Sequence, residues 1–307
     1  MRRVDFRYMD PVSMRLFLLP LLCLFFLADA ALAQVQVNLQ IKRRLHVMYE
    51  PIIATVSIRN LSGRDLPLAD KDGQPWFGFE VLRENGQPVP PLNPSYSLSP
   101  LIIPPGQTVQ RKVVLNTLYP VSDFGLYRIR ASVYFSPFEK FFQSPPQNVE
   151  ISEGKLLWQQ VVGVPDGQEG AGGNRRYTVL TFRQPKSNYV YVRVEDLDQG
   201  TVYCTYPIGR LITGIDPEIK LDGQNHLHVL HLTGAKLYLH TEISLKGEIV
   251  NQQNYLAVKT RPGLRVSRSG TLAVVGGQLQ ADEPAPGSPD APEVPKLSDR
   301  PINLPKG

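Results

Sequence analysis

The sequence predicts an all-β protein made of two antiparallel domains, and three observations carry that prediction. Apolar residues fall in short runs rich in Val, Ile, Tyr and Leu, often alternating with polar ones, as half-buried strands require. Turn formers are dense, with 28 Pro and 24 Gly against 4 Met, and no segment of the first half keeps a helical apolar period over three turns. The second half then repeats a pattern of strand, short turn, strand, Gly turn, strand at an offset of about 50 residues.

Residues 1–33 read as an export signal. Leu16 to Ala28 are thirteen consecutive apolar or small positions, preceded by Arg15 and followed by Ala31-Leu32-Ala33 before Gln34. A basic start, a short apolar core and small residues before a polar one predict cleavage after Ala33, with an uncleaved anchor as the alternative. The run is short for a bilayer span, and Asp29 closes it. Nothing before Met14 is needed by such a signal, so either Met1 or Met14 serves as the start. Cys23 follows Leu22, where a lipoprotein signal wants a small residue. The expected compartment is periplasmic or extracellular. The mature chain then holds one cysteine, Cys204, which excludes an internal disulfide and leaves stability to core packing. Its place in the alternating run Val202 to Tyr206 predicts a buried strand thiol.

The first domain is expected over residues 34–153. Val35, Val37, Leu39 and Ile41 alternate with polar residues, and Ile52 to Ile58 form a second strand that stops at Asn60-Leu61-Ser62-Gly63. Trp76 to Val81 and Thr108 to Leu115 supply further strands, and Glu84-Asn85-Gly86 is a tight-turn signal. Asp123-Phe124-Gly125-Leu126-Tyr127 is the most specific local motif. It resembles the tyrosine corner of immunoglobulin-like sandwiches, in which the Tyr hydroxyl bonds back to the preceding turn. Ile129 stands where antibody domains carry a disulfide cysteine, so the resemblance implies an apolar core without a staple and a structural role for Tyr127. Such modules serve as spacers or binding units. The aromatic run Tyr134, Phe135, Phe138, Phe141 and Phe142, interrupted by Pro137, is read as either hairpin core or a partner-binding surface.

Residues 154–280 form the expected second domain. One copy of the repeat runs through Tyr177 to Lys186, Tyr189 to Glu195 and Val202 to Tyr206, and the other through Leu227 to Lys236, Leu237 to Glu242 and Ile249 to Gln252. A third copy is expected to begin at Thr271. The recurrence resembles β-propeller blades, and 222–229 resembles the opening of a blade in sialidase-type propellers. Closure needs about four blades, and this segment supplies two and a fraction. A compact sandwich or partial barrel is therefore expected, and no sialidase chemistry is transferred. Ala171 to Arg176 read as a flexible hairpin loop, and Glu195 with Asp196 as solvated acids. The tail, 281–307, has seven prolines and few core formers, which predicts an extended or disordered segment.

Four of five histidines lie within fifteen residues: His226, His228, His231 and His240. Alternation sets His226 and His228 on one face and His231 on the other. A two-residue turn at Thr233-Gly234 would place His240 opposite Leu227, facing away from the pair. A three-residue loop centred on Gly234 would place it opposite His226 and bring three imidazoles within reach of one metal ion.

A formal charge of +5, spread among acidic neighbours, excludes a nucleic-acid surface. No catalytic motif, phosphate-cradling Gly loop or paired-cysteine metal motif is present, so no catalytic residue and no cofactor are assigned. The sequence favours a non-enzymatic exported protein presenting β-sheet surfaces to a protein, peptide or glycan partner. The alternative is a small metal-dependent hydrolase using His226, His228 and His240, with Glu242 or Asp222 nearby.

Overall fold

The computed structural model describes residues 35–280, apart from Ser95, Ser269 and the side chain of Phe138. The export segment, with Met14 and Cys23, and the tail 281–307 lie outside the described residues. Among the described residues the chain is all-β with several sheets, interrupted by two one-turn 3-10 helices. No helix among them is long and apolar enough to cross a membrane.

In the N-terminal half, β1 (Val35–Ile41), β3 (Ile53–Asn60) and β7 (Thr108–Val114) form one antiparallel sheet. A second sheet is ordered β2 (Leu45–Val47), β10 (Gln147–Ser152), β8 (Gly125–Phe135), β5 (Phe77–Arg83), with β9 (Lys140–Gln143) also paired to β8. All of its pairings are antiparallel except β2 with β10, which is parallel. β4 (Leu66–Leu68) and β6 (Leu101–Ile103) make a small separate pair. The strict alternation of β1 and β3 buries Val35, Val37, Leu39, Ala54, Val56 and Ile58, and β8 answers with Tyr127, Ile129, Ala131 and Val133 in the same core. The Tyr127 hydroxyl donates to the Asp123 carbonyl at 3.2 Å, the contact that the corner motif predicts. Glu84-Asn85-Gly86 is a turn closed by Gly86 N–H to Arg83 C=O at 2.9 Å.

The C-terminal half holds two consecutive antiparallel runs. β11 (Lys155–Gly163), β12 (Asn174–Gln184), β13 (Ser187–Asp196) and β14 (Thr201–Leu211) pair in chain order. So do β15 (Glu218–Leu221), β16 (Leu227–Gly234), β17 (Leu237–Ile243) and β18 (Ile249–Leu256), with β21 (Gln278–Leu279) added at the edge. Val179, Val192 and Tyr206 from the first run meet Leu227, Val229 and Ile243 from the second in one core.

Several local expectations change. The segment at Thr271 does not open a third copy: among the described residues β20 (Leu272–Val275) pairs only with β19 (Gly263–Val266), and the chain turns away at Gly276-Gly277, both at positive φ. Arg175 and Arg176 belong to β12 rather than to the loop before it. Asp196 is buried, not solvated, since Arg175 binds it at 2.8 Å and Tyr203 donates to it at 3.0 Å. Cys204 is half-buried on β14, against the Gly247 turn.

The aromatic run divides between core and surface. Phe135 is in the core and Phe142 packs at its margin, whereas Phe141 is 47% exposed with its ring 4.9 Å from that of Tyr134. The 3-10 turn at Ser136–Phe138 interrupts strand pairing where Pro137 falls.

Candidate metal centre

The site lies on the face of the second C-terminal sheet that points away from the shared core. Pairing of β16 with β17 sets His228 opposite Glu242 and His240 opposite Leu230. Neither turn considered from the sequence forms. The chain reverses at Ala235-Lys236, with Lys236 at φ 63°, and an irregularity between Leu232 and Gly234 shifts the register. Side chains at i and at the cross-strand partner share a face. His228, Leu230, His240 and Glu242 therefore emerge together, while His231 turns into the core.

Asp222 approaches from the loop between β15 and β16. Its Oδ1 accepts the amides of Gln224 and His226 at 2.9 and 2.8 Å, which leaves Oδ2 facing His228 Nε2 at 3.4 Å. Asn225, at φ 62°, closes this loop and ties it to the other sheet: its carbonyl accepts from Tyr177 and its side chain donates to Gly163 C=O. One ligand-type atom from each of Asp222, His228 and Glu242 lies within 4.8 Å of the other two. His226 is close by but engaged, with Nδ1 2.9 Å from Glu242 Oε1. Two acids and one histidine thus make the convergent set, in place of three histidines.

His240 plays a different part. Its ring stacks on His228 at 5.2 Å and 10°, and its Nε2 lies 3.0 Å from His228 Nδ1. Burial lowers its pKa to about 4, the neighbouring His228 adds to that effect, and Glu242 opposes it. His240 Nε2 and His228 Nδ1 share one hydrogen bond whose direction follows the tautomer, and an ion on His228 Nε2 would make His228 the donor and neutral His240 the acceptor. His240 Nδ1 is buried without a hydrogen-bond partner among the described residues.

Ligand chemistry fits this geometry. Zinc bonds to imidazole nitrogen and carboxylate oxygen at about 2.1 Å, so tetrahedral neighbours sit roughly 3.4 Å apart. That is the His228–Asp222 separation. Two carboxylates and a neutral imidazole balance a dication, and the mixed N/O set suits zinc-like ions rather than calcium. The His228 side chain is 4% exposed, while those of Asp222 and Glu242 are 15% and 20% exposed, so the open side of the set is bounded by the acids.

Lys220 was not singled out in the sequence, although its spacing from Glu218 on one strand places both on the site's face. It sits opposite His228 and donates to Leu264 C=O at 2.8 Å.

No known protein family matches this chain, and no curated protein does. Among solved structures, Spo0M, a sporulation control protein from Bacillus subtilis, is similar at 7% identity over 53% of this chain and 80% of its own, with a TM-score of 0.27. A likeness that weak carries neither family nor function to this chain.

Proposed function

We propose that this is an exported β-protein, periplasmic or secreted, that binds a divalent zinc-like ion through Asp222, His228 and Glu242. The convergence of three ligand-type atoms within 4.8 Å on a rigid strand pair carries the reading. Three protein ligands leave a tetrahedral ion one open position, the arrangement that hydrolytic zinc sites use. This reading keeps the hydrolase alternative and replaces its ligand set. The N-terminal half is proposed to be an immunoglobulin-like module, supported by two sheets around one core and by the Tyr127–Asp123 bond.

Calorimetric titration of zinc into the mature protein tests the centre. Asp222→Asn, His228→Ala and Glu242→Gln should each weaken binding at least about tenfold. His240→Leu removes no ligand but releases the partner that orients His228, a change that typically costs about 10- to 100-fold. Absence of zinc uptake, or affinity unchanged in all four variants, overturns the proposal.

A second reading keeps the protein as a binding unit. The exposed Phe141 borders a groove of about 210 Å³ shared with Phe77, Tyr96 and Tyr119. Aromatic surface of this kind marks contacts with a protein, peptide or glycan. Cross-linking in the native envelope should capture the same partner with the parent protein and lose it with Phe141→Ser. Equal capture by both would remove this surface from consideration.

A further inference from the structure

The outer side of β11 lacks the protection that other edges of this molecule carry. Sheet edges are ordinarily blunted by charge, proline or a covering segment. β7 has Arg111 and Lys112, and the outer side of β5 is closed where the Tyr119 hydroxyl donates to Phe79 C=O and accepts from Phe79 N–H. Among the described residues β11 pairs with β12 alone, and from Leu156 to Gly163 it has neither charge nor proline.

The direction of its backbone groups follows from its neighbour. Val164 N–H donates to Gly173 C=O, so the peptide groups of Val162, Gln160 and Trp158 face β12, and those of Val161 and Gln159 face outward. Among the described residues nothing bonds to these outward groups of Val161 and Gln159. Gly163 C=O accepts from the Asn225 side chain, which ends the open stretch.

The side chains add a second regularity. Leu157 is an extra residue that bulges between Leu156 and Trp158. The bulge puts Leu156, opposite Leu180, on the same face as Val161, opposite Arg176, each two ladder steps from Gln159. Both are exposed, Leu156 by 54% and Val161 by 48%. Trp158 and Gln160 lie on the other face, opposite Val179 and Tyr177 of the core.

We infer that β11 pairs antiparallel with β11 of a second copy about a two-fold axis at Gln159, continuing one four-stranded sheet into another. This register sets Leu156 against Val161 of the second copy, and Trp158 against its Gln160. Every pair then shares a face, as an isologous contact requires, and the uncharged stretch brings no like charges together. An identical strand run in reverse also presents the apolar pair at both ends, which an unrelated strand does not. The stretch from Leu156 to Val161 is about 20 Å long. Pairing of that length, one sheet layer thick, buries less than the roughly 1,200 Å² of a standard interface, so the dimer is weak and concentration-dependent. It does not depend on the metal centre.

Sedimentation velocity over about 10 µM to 1 mM, the range of weak interfaces, should show the mature protein passing from monomer to dimer. Gln159→Pro removes an outward N–H and no bond to β12, so it should abolish the dimer while circular dichroism stays that of the parent. Leu156→Lys and Val161→Glu each act twice across the axis and should weaken association at least about fivefold. The double variant should recover to within about twofold of the parent, because the axis sets ammonium against carboxylate. A parent that stays monomeric, or a dimer that Gln159→Pro leaves intact, overturns the inference. So does a double variant no tighter than the single ones.

Discussion

His231 shows how one imidazole records its surroundings. It faces the core between the two C-terminal sheets, is 1% exposed, and neither ring nitrogen makes a well-formed hydrogen bond among the described residues. Burial lowers its pKa to about 4, and the nearby Arg210 backbone offsets this only in part. The unfolded chain takes up a proton near the ordinary value of 6.5, whereas the folded protein resists until about pH 4. Between those values the unfolded state binds more protons, so stability is full above about pH 6.5 and falls as pH drops toward 4. The integrated loss is about 3 kcal/mol. Urea unfolding at pH 7 and pH 4 should show the parent losing about that much more stability than His231→Leu. Other acid-sensitive groups, His240 included, are common to both proteins and cancel in the comparison. Parallel losses in the two proteins would mean that His231 does not titrate across this window.

At the scale of the strand, alternation made most of the fold legible and pairing register decided what it hid. The apolar periods of β1, β3 and β8 read directly as strands, and the opposed faces of His228 and His231 followed from parity alone. The metal set did not follow, because Thr233-Gly234 is a turn-like pair that the chain passes through before reversing at Ala235-Lys236. That displacement sets Glu242 opposite His228 and holds His240 behind it. Asp222 was legible as a neighbour of the histidines but not as a ligand, since its direction depends on two amides captured by Oδ1. The third repeat failed for a related reason: alternation over Leu272–Val275 identifies a strand but not its partner. The close approach of the two C-terminal sheets is also hidden in sequence. Gly209 leaves space for His231, because a Cβ there would lie 2.8 Å from Nε2. Gly247 turns at φ 77° against Cys204, where a Cβ would overlap the sulfur.

The two halves of the molecule meet through a buried polar network that neither half completes alone. Glu50 is fully buried, accepting from Arg43 at 2.5 Å and from the Val47 amide at 3.0 Å, while Tyr191 of the C-terminal half donates to it at 3.3 Å. Val47 packs with Leu180, Phe182 and Tyr191, and Arg193 donates to Met48 C=O at 2.9 Å while its guanidinium covers Tyr49. Buried ions of this kind stabilise little in sum, but removing one partner strands the other. Glu50→Ala takes the carboxylate from Arg43 and Tyr191, at a cost near the lower end of the usual range, about 3 kcal/mol, because Arg43 still donates to the Tyr191 hydroxyl and, 25% exposed, can turn to water. The two tryptophans report on the halves separately, since Trp76 is in the N-terminal core and Trp158 packs against the C-terminal one. In Trp76→Phe and Trp158→Phe backgrounds, fluorescence should give coincident urea midpoints for the parent. Adding Glu50→Ala should separate them, because the halves then lose the contact that couples their unfolding. Midpoints that stay coincident after the substitution would place the coupling in the apolar contact of Val47 with Phe182 and Tyr191, and not in the carboxylate.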